Sequence, residues 1–221
     1  MIENLEQQEV FKPDFMDNFY APETYVKIRE LVESVARPGM LAVEVGCYAG
    51  SSAFEILPTV RKQGGIAYLV DWFRGSPETV IANIYTPETY PVGRVVETLL
   101  KNLKGSGFDD IAVVVAASSA LAARIVLDES CDYVMIAADH RYTAVKRDID
   151  VWWPKVKPGG ILVGHAMEHR DDPTDSTAWQ NVVDNCERDY IYKNHYGVVR
   201  AVTEMFPEFE NDACLWWVWK K

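Results

Sequence analysis

The chain has 221 residues, 48% of them hydrophobic and 25% charged, with a formal net charge of −11. That composition is ordinary for a globular protein and long enough for one domain with a substantial core, while two full domains would be cramped. It argues against a nucleic-acid partner, because an acidic chain meets a phosphate backbone unfavourably and no basic footprint is evident. It also argues against a membrane partner, because no apolar run approaches the roughly 18 residues that span a bilayer. Cys47, Cys131, Cys186 and Cys214 are scattered without a CxxC pair and no secretory signal opens the chain, so neither a zinc knuckle nor a disulfide framework is indicated and a cytoplasmic location is expected.

Residues 1–38 read as a tail followed by a helix: acids, Gln, Pro13 and aromatics without a period, then Pro22-Glu23-Thr24 opening a segment where Tyr25, Ile28, Leu31 and Val32 recur at helical spacing. Residues 39–221 read as one domain. Strand-like runs fall at 41–46, 66–71, 111–116, 132–137 and 160–164, separated mostly by helical patterns at 51–62, 93–104, 118–127 and 143–152. Such alternation predicts a mainly parallel sheet. The near-continuous apolar run Ile111–Ala116 predicts a strand buried on both faces. Lys157-Pro158-Gly159-Gly160 predicts a tight turn before the next strand. Polar residues 168–175 follow, then helical windows from Trp179 and around Val198–Met205, and the aromatic run Cys214–Trp219 reads as a late strand. Arg61-Lys62 and Lys146-Arg147 read as solvated charge on helix surfaces.

The first strand run ends Val43-Glu44-Val45-Gly46 and restarts at Gly50-Ser51-Ser52, an ExGxxxG turn. About 25 residues on, the second run ends in Asp71, a separation at which a carboxylate on the next strand tip meets a ribose hydroxyl. The pair implies an adenosine-containing cofactor. A dinucleotide site uses GxGxxG to bring the backbone to a pyrophosphate, which an acid beside the loop would repel. Glu44 suits an ammonium or a sulfonium instead, which favours S-adenosylmethionine over NAD.

These elements, with Val70-Asp71-Trp72-Phe73, Ala138-Asp139-His140-Arg141-Tyr142, Val145 through Asp148, Trp153-Pro154, Pro158-Gly159-Gly160 and Val163-Gly164-His165, resemble the class I S-adenosylmethionine-dependent methyltransferases. The nearest group is the small O-methyltransferases of methyltransferase domain 24. The resemblance covers residues 40–166 and, more loosely, the segment from Gly197 and the final aromatic run. It implies an α/β, Rossmann-like fold with seven mostly parallel strands flanked by helices, the last strand inserted antiparallel, and the cofactor across the strand tips. By motif position, Glu44, Gly46 and Gly50, with Cys47, Tyr48, Ser51 and Ser52, belong to the methionine end. Asp71 belongs to the ribose, and Trp72 or Phe73 to the adenine neighbourhood. Ala117 and Ala138 complete the expected lining, and Ser118 is either a polar contact to adenine or a helix N-cap.

The sequence departs from its relatives at two strand tips. Where metal-dependent members carry carboxylates that hold a divalent cation, this chain has Ala137 and Ala166. Either the chain works without that metal, or Asp139, His140, His165, Glu168 or His169 hold one such as Mg, or the chain is an inactive or altered version. Asp139 and His165 are the metal candidates among them. Methyl transfer to a hydroxyl also needs a proton acceptor, for which Asp139, His140 and His165 are the strand-tip candidates. His140 could instead cap or hydrogen-bond the following helix, and His169 and His195 read as surface residues. The stretch from Trp72 through Tyr85, Tyr90 and Pro91, with residues 166–178, is expected to form the acceptor pocket, suited to a sugar, polyol or phenolic small molecule.

The leading expectation is thus a small-molecule O-methyltransferase. The alternatives are a catalytically silent S-adenosylmethionine-binding protein, which Ala137 and Ala166 favour, and an NAD-dependent oxidoreductase, which the turn disfavours. Whether the chain forms a homo-oligomer is left open.

Overall fold

A computed structural model describes residues 11–16, 20–75, 92–168, 175–188 and 194–221. Helix α1 (Pro22–Ser34) starts with proline at its first position, where the missing N–H costs nothing, and buries Ile28, Leu31 and Val32. Strand β1 (Leu41–Val45), α2 (Ala53–Lys62), β2 (Ile66–Asp71), α3 (Val92–Gly105) and β3 (Ala112–Ala116) follow. Next come α4 (Ser119–Ala122), β4 (Cys131–Ile136), α5 (Tyr142–Trp152) and β5 (Val156–His165). The chain continues through α6 (Ser176–Asn185), α7 (Tyr196–Met205), β6 (Glu210–Asp212) and β7 (Leu215–Trp219).

The seven strands form one sheet in the order β3-β2-β1-β4-β5-β7-β6. Pairings from β3 through β5 are parallel, and β7 runs antiparallel to both β5 and β6. The expected Rossmann-like α/β sheet with an inserted antiparallel strand is therefore present. Side chains alternate across it, as strand geometry requires. Val43, Val45, Val134, Ile136, Leu162 and Trp216 join α5 and α7 in one core. Ala42, Leu69, Tyr133, Met135, Ile161 and Val163 join α1, α2 and α3 in the other.

Three local expectations are corrected. β3 is an edge strand with no fully buried residue, and Val113 is 46% exposed; the enclosed strand is β4, buried at all six positions. The apolar run reported strand propensity, whereas burial follows from the helices packing on the sheet centre. The helix expected at 118–127 is a single α turn and a 3₁₀ turn, Ala123–Ile125. Its core contacts are Ala122, Ala123 and Val126, and the larger Leu121, Ile125 and Leu127 face solvent.

Lys157–Gly160 is not a turn before a strand but a bulged part of β5, between the pairs Cys131↔Val156 and Tyr133↔Ile161. Gly159 there has φ +76° and donates its N–H to the Lys220 carbonyl at 2.7 Å, which ties the bulge to the end of β7. Under this end of the sheet lies buried Asp132. It accepts from the Leu41 N–H at 2.9 Å, pairs with Lys157 Nζ at 2.8 Å and pairs with Arg37. Among the described residues, no helix is long and apolar enough to cross a membrane.

Candidate functional site

The site lies at the opposite strand ends. After β1 the chain turns through Gly46 and Gly50, at φ +91° and +96°. A Cβ at Gly46 would run into the Ala137 carbonyl at the tip of β4, so only glycine lets the two strand ends approach so closely. The Gly46 and Cys47 N–H groups both donate to the Val70 carbonyl, at 2.8 and 3.2 Å. Asp71 completes the lacing: its Oδ2 accepts from the Tyr48 N–H at 3.0 Å and its Oδ1 from the Phe73 N–H at 2.7 Å. Burial raises the Asp71 pKa, with those backbone donors opposing the rise.

Glu44 is buried behind the turn. The Ser52 hydroxyl donates to its Oε1, and its Oε2 has no hydrogen-bond partner. Burial pushes its carboxyl up to about 7, the Ser52 bond working against the rise and the Asp71 charge adding to it. Burial, with the Glu44 charge adding, also holds the Tyr20 phenol above its ordinary value.

These elements surround a cavity of about 520 Å³, within the size range of small-molecule and cofactor sites. Of the cofactor positions read from sequence, Gly46, Cys47, Tyr48, Ser51, Ser52, Asp71, Trp72, Phe73, Ala117, Ser118 and Ala138 line it. Glu44 and Gly50 are not among the lining and support the turn instead. Ser118 occupies the N-cap position of α4 without making a side-chain capping bond, so the capping reading is not realised. Asp139, His140 and His165 line the same cavity. Residues 76–91 and 169–174, which hold most of the expected acceptor pocket and His169, lie outside the described residues.

The base candidates differ in their surroundings. Both oxygens of Asp139 are engaged by Arg141, with contacts of 3.0 Å from its backbone N–H and 2.6 Å from Nη2. His165 is edge-on to the Tyr20 ring at 4.4 Å, and its ring centre lies 6.0 Å from that of His140. Burial first, then the neighbouring imidazoles, pushes the His165 pKa well down.

His195, expected on the surface, is buried, lines the cavity, and lies 4.4 Å from the His140 ring. Its Nδ1 is 2.5 Å from Glu168 Oε1, and its backbone N–H donates to Glu168 Oε2 at 3.2 Å. Burial raises the Glu168 pKa, but the bonds and charge of His195 outweigh it and the net shift is downward. The one signal in the sequence was position: His195 immediately precedes the apolar helical window at Val198. Also missed was Asp148 on α5, which is buried, lines the cavity and is raised to about 6 chiefly by burial. Arg147 lines the cavity as well, so its charge is not simply spent on solvent.

The chemistry of the lining fits S-adenosylmethionine. An acid with an unsatisfied oxygen stands behind the turn, where a cationic methionine end would lie, and the Asp71 carboxyl oxygens retain lone pairs for ribose hydroxyls. Among the described residues, no metal finds a ligand set at the strand tips. Ala137 and Ala166 offer only methyl groups, and among the described residues no group of three or more His, Cys, Asp or Glu is placed to hold an ion.

Comparison with known proteins agrees with this geometry. The structure resembles an S-adenosylmethionine-dependent O-methyltransferase from Thermotoga maritima, with a TM-score of 0.55, 10% identity, and coverage of 92% of this chain and 67% of that one. A Corynebacterium glutamicum protein matches with a TM-score of 0.52 and 14% identity over 96% and 83% of the two chains. The precorrin 8W decarboxylase of Methanobacterium thermoautotrophicum matches at 0.50 and 18% identity over 79% and 76%. Likeness at these identities establishes the fold, which hosts more than one chemistry. Fold, site and sequence together define a class I S-adenosylmethionine-dependent methyltransferase. The chain belongs to the methyltransferase domain family Methyltransf_24, whose model matches residues 43–167, more than half of its length.

Proposed function

We propose that the protein methylates a hydroxyl of a small molecule, of the sugar, polyol or phenol class, and that it does so without a divalent metal at the strand tips. The observation that carries the reading is the continuity of one cavity, from the glycine turn and Asp71 to a cluster of imidazoles at the tips of β4 and β5. S-adenosylmethionine supplies an electrophilic methyl carbon on a sulfonium. Asp71 would accept from the ribose hydroxyls, Ser118 would contact the adenine beside Trp72 and Phe73, and Glu44 would face the cationic end through Ser52 and the turn. The remaining work falls to the protein: aligning the acceptor oxygen with the methyl group and removing its proton. Asp139, His140 and His165 are the strand-tip residues nearest that task. Arg141 holds Asp139 in a structural pair, which leaves the imidazoles.

The test is calorimetric titration of S-adenosylmethionine, with and without magnesium, into the chain and into an Ala137→Asp/Ala166→Asp variant. Ala166 has φ +68°, a conformation that Asp adopts more readily than Ala, so the backbone there accepts the change. Micromolar binding to both, indifferent to magnesium in the wild type, is the expected result, and no binding to either would overturn the cofactor assignment. The silent-binding alternative rests on the same two alanines. It predicts cofactor binding without release of S-adenosylhomocysteine from any hydroxyl acceptor.

A further inference from the structure

We propose that Tyr20 is the contact for the cofactor's sulfonium: its ring walls the cavity where the methionine end meets the acceptor end, and it favours charged S-adenosylmethionine over neutral S-adenosylhomocysteine. The proposal rests on the methyl-transfer reading above. Tyr20 lies outside the matched family segment, which begins at 43.

The position of the ring carries the argument. Displacement at the methyl carbon is in line, so the methyl group must point from the glycine turn toward the imidazoles, and the sulfonium stands between them. Tyr20 lines the cavity and meets both sides. Its phenol reaches the Ser52 hydroxyl beside the turn, and its ring is edge-on to His165 at the tip of β5, with 4.4 Å between the centres.

Electrostatics narrow the choice of partner, because a cation taken out of water must find one. The acids of the site are set apart or engaged. Glu44 stands behind the turn and is not in the lining, while Asp71 accepts from the Tyr48 and Phe73 N–H groups at the ribose end. Asp139 is gripped by Arg141, and Asp148 stands beside Ser119 at the start of α4. An aromatic face supplies what these acids do not, since its negative quadrupole attracts a desolvated cation. Burial and the Glu44 charge keep the phenol proton in place, so Tyr20 stays neutral and acts through its ring.

A second observation fixes the ring, which stands between two anchors. Before it, the Asp14 N–H donates to Asn102 Oδ1 at 2.9 Å. Asn102 Nδ2 donates in return to the Asp14 carbonyl at 2.6 Å and to the Ala49 carbonyl, inside the glycine turn, at 3.1 Å. Asn102 is buried on α3, so one side-chain amide ties the leading segment to the cofactor turn itself. After it, the Thr24 hydroxyl on α1 donates to the Ala213 carbonyl, between β6 and β7, at 2.8 Å. Tyr25 meets the Tyr20 ring edge-on at 5.4 Å. A ring held in this way is in position before any ligand arrives, which lowers the cost of binding.

The deciding experiment is calorimetry of the full chain with S-adenosylmethionine and with S-adenosylhomocysteine, read as the ratio of the two affinities. Tyr20→Leu keeps apolar bulk and removes the π face. It is expected to weaken S-adenosylmethionine by about 5- to 30-fold while S-adenosylhomocysteine, whose binding also shows that the variant is folded, stays within about twofold of wild type. Tyr20→Phe keeps the ring, and its ratio is expected to stay within about threefold of wild type. Where Tyr20→Leu fails to fold, Tyr20→pentafluorophenylalanine retains the shape with an electron-poor face, and it is expected to lower the ratio relative to Tyr20→Phe. An unchanged ratio in Tyr20→Leu, whether or not both ligands weaken together, would make Tyr20 a wall of the cavity only and overturn the assignment. So would a ratio already lost in Tyr20→Phe, or one retained in the fluorinated variant. Absence of S-adenosylhomocysteine binding to the wild type would instead bring down the methyl-transfer reading.

Discussion

Glu44 holds a proton in the cofactor-free fold at pH values where an unfolded chain would have lost it. Its folded pKa is raised from 4.5 to about 7. Between those values the native state binds more protons than the unfolded state, so stability is fully present at the acid end and falls as pH rises through 7. The shift corresponds to about 3 kcal/mol at most. Thermal unfolding of Glu44→Gln across pH 4.5 to 8 should therefore show a shallower decline than wild type. A cationic ligand reverses the pressure: it favours the carboxylate, so S-adenosylmethionine affinity in the wild type should rise with pH up to about 7 and then level off, a trend that calorimetry in buffers of different ionisation enthalpy would detect as proton release. At this scale the sequence was informative where chemistry is tied to a motif. Gly46 and Asp71 were readable because a glycine and an acid each close an apolar run at a fixed spacing, whereas Ser118 was named only through the family resemblance. His195 and Glu168 were not, because their pairing depends on two segments that meet only after α7 has docked.

Helix α7 shows how an element carries precision to the site. Its buried face, Val198, Val199, Ala201 and Val202, packs into the core shared with α5. Gly197 sets how near it comes to the strand-tip loop, since a Cβ there would run into the His140 carbonyl, the Tyr142 nitrogen and the Cys186 carbonyl. Gly197→Ala should push the first turn outward, lowering stability by about 1–3 kcal/mol through overpacking. It should cut turnover more than cofactor affinity, since the His140 loop moves and Asp71 does not; comparing kcat with S-adenosylhomocysteine binding separates the two. Gly46→Ala should do the reverse, disrupting the cofactor turn where a left-handed residue meets the β4 carbonyl, and it is expected to abolish detectable binding in calorimetry. Most elements were legible because apolar periodicity reports them directly: β2 is predicted and found at 66–71. The segment after β3 was not, because small residues face its core and the larger apolar ones are outside. Nor was the bulge at 157–160, since Gly and Pro mark a turn and a bulged strand alike.

Across the whole molecule, stability and chemistry are anchored at opposite ends of the sheet. Asp132, buried among Arg37, Lys157 and the Leu41 N–H, ties the leading ends of β1, β4 and β5 on the side away from the cavity. Asp132→Ala leaves the Leu41 N–H without its acceptor and two partly exposed cations without their acid, and should cost about 1–3 kcal/mol in denaturant unfolding, with S-adenosylhomocysteine affinity of the folded fraction unchanged. Fold class was legible because alternating strands and helices admit few packings, and the strand-tip part of the cavity lining was legible with it; Tyr20, Asp148 and His195 were not, because they reach the cavity from elements whose approach no local motif reports. The two borders of the sheet also behave differently in a crowded solution. At one border β6 is three exposed residues, Glu210-Asn211-Asp212, short and acidic. At the other, β3 is five residues of Ala and Val, and among the described residues nothing pairs with its outer side. A short charged border discourages another chain from hydrogen-bonding onto it, and a longer apolar one invites it. Self-association under destabilising conditions should therefore grow from β3, and Val113→Lys should suppress it in light scattering while a charge change at β6 does not.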